Sequence, residues 1–143
     1  FGIIGVPTQS AYNAAKFAVR GFTESLREEL DIEQCGVSAT SVHPGGVKTN
    51  IARNSRMGDM GDFGMGDKED IAAMFEKIAM TTPESAARTI LAGVRKNQRR
   101  VLVGADAVML DTAQRLMPTG YQRLLEALFR MNQGKKKTSQ GIA

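Results

Sequence analysis

The stretch that decides the fold is residues 2–30, which read GIIGVPTQSAYNAAKFAVRGFTESLREEL. From Tyr12 onward, apolar residues recur at the spacing of one helical face, and charged residues supply a polar side. Thr8 or Ser10 is placed to cap the start of this helix, and Gly36 is placed to end it. The predicted buried stripe consists of Ala15, Ala18, Val19, Phe22, Leu26 and Leu30. The predicted polar side consists of Arg20, Glu24, Arg27, Glu28 and Glu29.

Two short segments have the composition of buried strands. Residues 37–43 are partly β-branched and low in charge, and this predicted strand ends at the residues PGG at 44–46. The residues RVLVG at 100–104 form the second segment. Between them, TPE at 82–84 combines a cap, a proline and an acid, which together start a helix. The order strand, helix, strand with a crossover of this length implies parallel pairing, so the predicted fold class is α/β. Two strands alone make a marginal sheet, so the sequence predicts further strands outside it.

The carboxyl-terminal third is predicted to be helical. Two helices are expected at 105–116 and 120–131, with Pro118 between them. The second helix has one apolar face beside basic residues, and that face consists of Tyr121, Leu124, Leu125, Leu128 and Phe129. Upstream, residues 57–67 form a loop rich in Gly, Met and Asp, and a short amphipathic helix follows at 68–80.

Composition excludes several classes of protein. An apolar fraction of 42% in 143 residues allows one ordinary core, and a single cysteine excludes a disulfide framework and indicates a reducing compartment. No run approaches the roughly 18 apolar residues of a membrane-spanning helix. Residues 95–143 carry 10 basic and 3 acidic side chains, but without the interleaved aromatic residues of a nucleic-acid surface. We therefore expect no nucleic acid as a ligand. The acidic residues at 57–67 lack the spacing of a calcium-binding loop, so we expect no metal either.

Tyr12 and Lys16 form the candidate catalytic pair. They are four positions apart near the start of a helix, so both side chains project from one face. A phenol gives up its proton more readily when a nearby ammonium and a helix amino terminus stabilise the phenolate. Such a pair can exchange a proton with a carbonyl oxygen near neutral pH. Taken alone, the pair is also typical of any charged helix surface.

Two motifs together resemble the short-chain dehydrogenase/reductase family. The first is G-x-x-G-V-P-x-x-S-A-Y-x-x-A-K at residues 2–16, and the second is V-x-P-G-G-V-K-T-N at residues 42–50. The resemblance implies a doubly wound, Rossmann-like parallel sheet, of which this chain is the carboxyl-terminal half, with extra carboxyl-terminal helices. It also implies an NAD(P)-dependent oxidoreductase that transfers a hydride between NAD or NADP and a carbonyl or secondary alcohol substrate.

The resemblance assigns roles to individual residues. Tyr12 would be the general acid and base, and Lys16 would activate it and hydrogen-bond the nicotinamide ribose. The remaining cofactor-binding residues would be Pro44, Gly45, Val47 and Thr49. The glycine pair would let the backbone approach a flat ring closely, at the carboxyl end of a strand where open α/β sheets bind ligands.

The family's catalytic Ser and its Gly-rich phosphate loop would both lie upstream of Phe1. We therefore expect this chain alone to be inactive. The predicted organisation has a first unit at 1–104, which includes a substrate loop at 50–80. A helical extension at 105–131 and a basic flexible tail at 132–143 follow.

Several alternatives stay open on the sequence. Met57, Met60 and Phe63 are candidate lid residues over an apolar substrate, or part of an ordinary surface loop. His43 is either structural or part of the wall of the cofactor cleft. The Tyr12 helix is expected to form a homo-oligomer interface. The protein is expected to be cytoplasmic, with peripheral membrane contact through the last helix as a variant of that expectation. The rival functions are a non-catalytic nucleotide-sensing or scaffold protein of the same fold and a basic membrane-associated module.

Overall fold

A parallel pair of strands and the helices around it make up the fold. The computed structural model describes residues 2–54, 73 and 75–140, with the backbone alone at 52, 53 and 132–140. The elements in chain order are α1 (Ser10–Glu33), β1 (Ser41–Pro44), α2 (Ile51–Asn54), α3 (Pro83–Arg95), β2 (Arg100–Val103), α4 (Ala105–Leu116) and α5 (Gly120–Gln140). Residues 75–78 are also helical. The predicted α/β fold class is confirmed.

Strands β1 and β2 pair in parallel, in a register that places Ser41 opposite Arg100 and Pro44 opposite Val103. Helix α3 lies in the crossover between them and packs on β2, while α1 packs on β1. Because side chains alternate along a strand, the two faces of the sheet carry different residues. One face meets α3, and its core consists of Ala86, Val101 and Val103 with Val42, Val47 and Ile90 packed against them.

Local sequence signals determine how α3 begins. The side chain of Thr82 accepts a hydrogen bond from the Ser85 backbone at 3.2 Å, Pro83 occupies the first turn and Glu84 adds an acid there. A cap, a proline and an acid at this end satisfy free backbone donors and the helix dipole. The predicted start at 82–84 is therefore confirmed.

The ends of α1 differ from the prediction. Gln9 occupies the cap position without a side-chain hydrogen bond, so neither Thr8 nor Ser10 caps the helix. Thr8 instead adopts a left-handed φ of 70°, which places it in the turn before the helix. At the other end, Gln34 adopts the left-handed conformation with a φ of 52° and ends the helix before Gly36 is reached.

The buried side of α1 also differs from the predicted stripe. Leu26 and Leu30 are half-buried, whereas Phe22 is 69% exposed. Three further stripe residues are likewise exposed, namely Ala15, Ala18 and Val19. Arg27, predicted on the polar side, is only 6% exposed. The reason is that an arginine can bury its aliphatic part while its guanidinium group forms hydrogen bonds. Here the guanidinium reaches the segments that precede both strands.

Arg27 makes three sets of contacts. Its Nε atom lies 2.9 Å from an oxygen of Asp31, and its Nη1 atom donates to the carbonyl of Ala39 at 3.0 Å. Its Nη2 atom reaches the carbonyl of Asn97 at 3.5 Å. The Nη2 atom of Arg99 also lies 2.6 Å from a carboxylate oxygen of Asp31. One side chain therefore ties α1 to the segments that lead into β1 and β2.

Helix α5 is longer than predicted. The sequence pattern ended it at 131 and placed a flexible tail at 132–143, whereas the helical backbone continues to Gln140. Extending an existing helix adds one hydrogen bond per residue fixed, which costs much less than starting a new helix. The 57–67 loop and most of the predicted 68–80 helix lie outside the described residues.

Candidate active site

Tyr12 and Lys16 come together near the amino-terminal end of α1. The ammonium nitrogen of Lys16 lies 5.3 Å from the centre of the Tyr12 ring. An ammonium at this distance from an aromatic ring is attracted to it. Tyr12 is 42% exposed and Lys16 is also exposed, so both reach the surface of the described chain. The pair predicted from its spacing is therefore formed.

The segment that precedes α1 is held against the amino-terminal turns of that helix. Gly2 has a φ of 82°, and a Cβ atom there would lie 3.2 Å from the carbonyl oxygen of Lys16. Arg20 donates to the carbonyl of Gly2 at 3.2 Å, and the buried Asn13 amide donates to the carbonyl of Val6 at 3.0 Å. These contacts anchor the backbone on either side of Tyr12.

The second predicted motif forms the turn that follows β1. The backbone nitrogen of Gly45 donates to the carbonyl of Val103 at 2.9 Å, which extends the strand pairing beyond β1. On the other side, the backbone nitrogen of Thr81 donates to the carbonyl of Gly46 at 3.2 Å, and the backbone nitrogen of Lys48 donates to the carbonyl of Thr81 at 2.9 Å. The turn therefore lies at the carboxyl ends of both parallel strands, where α/β sheets bind ligands.

Both glycines of this turn are needed for packing inside the protein. A Cβ atom on Gly45 would overlap the carboxylate of Asp106, and one on Gly46 would lie 2.9 Å from the Cα of Ala79. From the sequence alone, the two glycines are explained by the close approach of a flat ring to the backbone. The structure gives them a different reason, since the space beside each glycine is filled by the chain itself.

Sequence reasoning missed Asp106. Its carboxylate accepts a hydrogen bond from the backbone nitrogen of Gly46 at 2.5 Å, across 60 positions of sequence. Asp106 lies in the first turn of α4, directly after β2 and Gly104. The signal that could have revealed it is an acid just after the second strand, because parallel strands end at the same edge of the sheet.

The other predicted site residues have different placements. Pro44 is the last residue of β1, and Val47 lies half-buried in the turn beside the small core. Thr49 is exposed between the turn and α2. The lid candidates Met57, Met60 and Phe63 lie outside the described residues. The structure thus places the Tyr12 pair on α1 and the other cofactor-binding candidates around the end of β1.

His43 lies on the sheet face opposite the small core and is 5% exposed. Its Nε2 atom is 2.9 Å from the hydroxyl of Ser41. Burial lowers the pKa of His43 to about 4, and the charges of Arg100 and Arg20 act in the same direction, against smaller opposing effects of Glu24 and Asp111. A neutral, buried, hydrogen-bonded imidazole supports the structural interpretation of His43.

We expect His43 to make the protein less stable as the pH falls. Its pKa is about 4 when folded and 6.5 in a free side chain, so between these values the unfolded chain binds a proton that the folded chain does not. The stabilisation is complete above pH 6.5 and is lost as the pH falls to about 4. The loss amounts to at most about 3 kcal/mol. Urea unfolding between pH 7.5 and 5 measures the greater part of this loss. His43→Asn should show a shallower dependence on pH, and equal slopes for the two proteins would contradict the prediction.

Two parallel strands with helices packed on them, and a turn at their carboxyl ends, are typical of a layered α/β fold. Comparison with known proteins identifies the family. The short chain dehydrogenase family model matches residues 1–59. The chain belongs to the short-chain dehydrogenase/reductase family.

Three relatives illustrate this similarity. SadH of Mycobacterium tuberculosis, named an oxidoreductase, is 51% identical over 128 residues, which are 89% of this chain and 45% of that protein. YxnA of Bacillus subtilis, also named an oxidoreductase, is 32% identical over 97% of this chain and 36% of its own length. Dehydrogenase/reductase SDR family member 7B of Xenopus laevis is 32% identical over 96% of this chain and 38% of its own length. The chain thus spans less than half the length of these relatives. No solved structure matches it significantly.

Proposed function

We propose that this chain carries the proton-transfer half of an NAD(P)-dependent oxidoreductase that acts on a carbonyl or secondary alcohol. The observation that carries the proposal is the Tyr12–Lys16 pair, with the ammonium 5.3 Å from the phenol ring on an exposed face of α1. The complete protein would supply the upstream catalytic Ser and the phosphate-binding loop. The chain alone is therefore expected to be inactive.

The two residues of the pair would divide the proton chemistry between them. When bound, the nicotinamide supplies or accepts the hydride. In the reducing direction, the Tyr12 hydroxyl gives its proton to the substrate oxygen, so that the carbonyl becomes an alcohol and Tyr12 becomes a phenolate. The neighbouring Lys16 ammonium stabilises that phenolate by its charge. In the oxidising direction, the Tyr12 phenolate takes the proton back.

The residues present fit a nicotinamide cofactor. An exposed ammonium on Lys16 can donate hydrogen bonds to ribose hydroxyls. The turn of Pro44, Gly45 and Val47 lies at the sheet edge where such ligands bind, and the exposed Thr49 hydroxyl follows it. We propose these residues as the cofactor-binding set, together with Tyr12.

Cofactor oxidation by the complete protein tests the proposal. NADH and NADPH are each supplied with a panel of aldehydes and ketones, and the loss of absorbance at the nicotinamide band is followed. Turnover with either cofactor supports an enzyme. Tight binding of a nicotinamide nucleotide without turnover on any carbonyl would favour the rival function, a nucleotide-sensing or scaffold protein.

We propose that the complete protein is a homo-oligomer through α1. Phe22 and Val19 are strongly exposed on the described chain, and burying such side chains stabilises association. The complete protein should sediment as a dimer or larger at micromolar concentration, and Phe22→Asp should shift it toward the monomer. Leu116→Asp, at an exposed residue of α4, serves as the control. Sedimentation of the unaltered protein as a monomer would contradict this prediction.

The membrane contact of α5 stays a prediction. Leu124, Leu128 and Met131 are exposed along this helix, near Arg123 and Arg130. Such a helix can lie on an anionic membrane surface. Over the part of the chain that the structure describes, no helix is long and apolar enough to cross a membrane.

A further inference from the structure

The carboxylate of Asp106 lies among three glycines at the edge of the sheet. One of its oxygens accepts the backbone N–H of Gly46 at 2.5 Å. The place of a Cβ on Gly45 is occupied by the same carboxylate, and a Cβ on Gly104 would lie 2.5 Å from it. Gly104 has a φ of 96°, which favours glycine. The Asp106 carboxylate therefore occupies the space that a side chain on Gly45 or Gly104 would need.

Asp106 has one local and one distant role in this arrangement. Locally, it is an acid in the first turn of α4, where the helix dipole favours a negative charge. Its hydrogen bond, however, goes to Gly46, which lies beyond the other strand of the sheet. An acid that served only its own helix would not need a partner in the turn after β1.

The turn that Asp106 holds is the one that follows β1 in the proposed cofactor site. Backbone hydrogen bonds fix Gly45 to Val103 and Gly46 to Thr81. The carboxylate adds a charge-assisted bond to Gly46, and such bonds are stronger than those between neutral groups. Loss of the carboxylate would leave the Gly46 N–H without this acceptor and open a space beside Gly45.

We propose that Asp106 is a positioning residue that fixes the backbone of the 44–47 turn so that it can hold the nicotinamide end of the cofactor. This inference rests on the proposed function. Asp106 acts through Gly46 and takes no part in proton transfer. Its removal should therefore weaken cofactor binding and spare the chemical step.

Three variants of the complete protein test this role. Asp106→Ala removes the acceptor, and Asp106→Asn keeps an oxygen acceptor without the charge. Asp111→Asn is the matched control, since Asp111 is a buried acid of the same helix that pairs with Arg100 and Arg115 instead of the turn. The readouts are hydrogen exchange at the Gly46 amide without cofactor, the Kd for NADH and NADPH, and kcat at saturating cofactor.

In Asp106→Ala we expect exchange at Gly46 and the cofactor Kd each to rise about tenfold or more, as loss of a charge-assisted hydrogen bond implies. The value of kcat should change much less than Kd. Asp106→Asn should show smaller increases in both exchange and Kd, because its amide oxygen remains an acceptor but carries no charge. Asp111→Asn should lower the melting temperature and leave both readouts near the unaltered values. If Asp106→Ala matches Asp111→Asn in exchange and Kd, the inference is overturned and Asp106 is structural only.

If Asp106→Ala folds poorly, the comparison of Asp106→Asn with Asp111→Asn supplies the same readouts, and a double-mutant cycle with Gly45 tests the contact independently. Gly45→Ala places a methyl group where the carboxylate lies, so it should raise the cofactor Kd in the unaltered background. In the Asp106→Asn background the same clash persists, whereas in Asp106→Gly it is removed and Gly45→Ala should cost much less. Equal costs of Gly45→Ala in the unaltered and Asp106→Gly proteins would overturn the inference. A complete protein that binds neither NADH nor NADPH contradicts the proposed function instead, and with it the cofactor part of this inference.

Discussion

Tyr12→Phe in the complete enzyme is expected to lower the rate by about 10²–10⁴-fold, the range for loss of a positioned acid or base. The substitution removes one hydroxyl and keeps the ring over which Lys16 lies. Because Tyr12 is 42% exposed, the free energy of unfolding should change by no more than about 0.5 kcal/mol. Steady-state kinetics with saturating cofactor and urea unfolding measure the two effects.

The second tyrosine of the chain provides the matched control. Tyr121→Phe also removes one hydroxyl, which accepts a hydrogen bond from the Gly5 backbone at 3.3 Å. It should leave kcat within about threefold of the unaltered enzyme, since its hydroxyl has no part in the proposed proton transfer. Near-normal turnover of Tyr12→Phe, or an equal loss in both variants, would overturn the assignment of Tyr12.

Lys16 variants separate the two roles proposed for this residue. Lys16→Ala should lower kcat, because the phenolate loses its neighbouring charge, and should raise the cofactor KM, because the ribose contacts are lost. Lys16→Arg keeps a charge in a bulkier, planar group and should rescue only part of the activity. An unchanged cofactor KM in Lys16→Ala would contradict the proposed ribose contacts but not the stabilisation of the phenolate.

Arg27→Met should produce the largest loss of stability, about 2–4 kcal/mol, because it removes a buried charge that is hydrogen-bonded on several sides. Methionine keeps much of the apolar stem but leaves the carbonyl of Ala39 without its donor. Asp31 keeps a partner in Arg99, which limits the damage on that side. The loss is large against the roughly 5–15 kcal/mol that hold a typical domain folded.

Urea unfolding of the complete protein at neutral pH measures the effect of Arg27→Met. Arg130→Met is the control, since Arg130 forms an exposed pair with Glu126 at 3.9 Å and such pairs contribute little. A loss below about 1 kcal/mol for Arg27→Met would show that the buried network is not what holds α1 to the strands.

The sequence predicted the elements more reliably than the sides they bury. The start of α3 at Thr82 was predictable because its cap joins residues three positions apart. Its buried face was not, because helical spacing groups the apolar residues Leu91 and Val94, yet both are exposed, whereas Ala86 and Gly93 lie against the sheet. Periodicity shows which residues share a face of a helix. It does not show how that face is rotated against a neighbour, and the same limit explains Arg27 in α1.

The candidate catalytic pair and its setting were determined at different levels of structure. The sequence by itself determined that Tyr12 and Lys16 lie together, because residues four apart in a helix share a face whatever surrounds it. It also indicated the α/β class, because a helical crossover of this length is typical of parallel strands. Only the tertiary structure decided that Asp106 meets Gly46, since their 60-position separation is closed by two strands ending at the same edge. A hydrogen bond of that kind depends on register and packing, which no local pattern encodes.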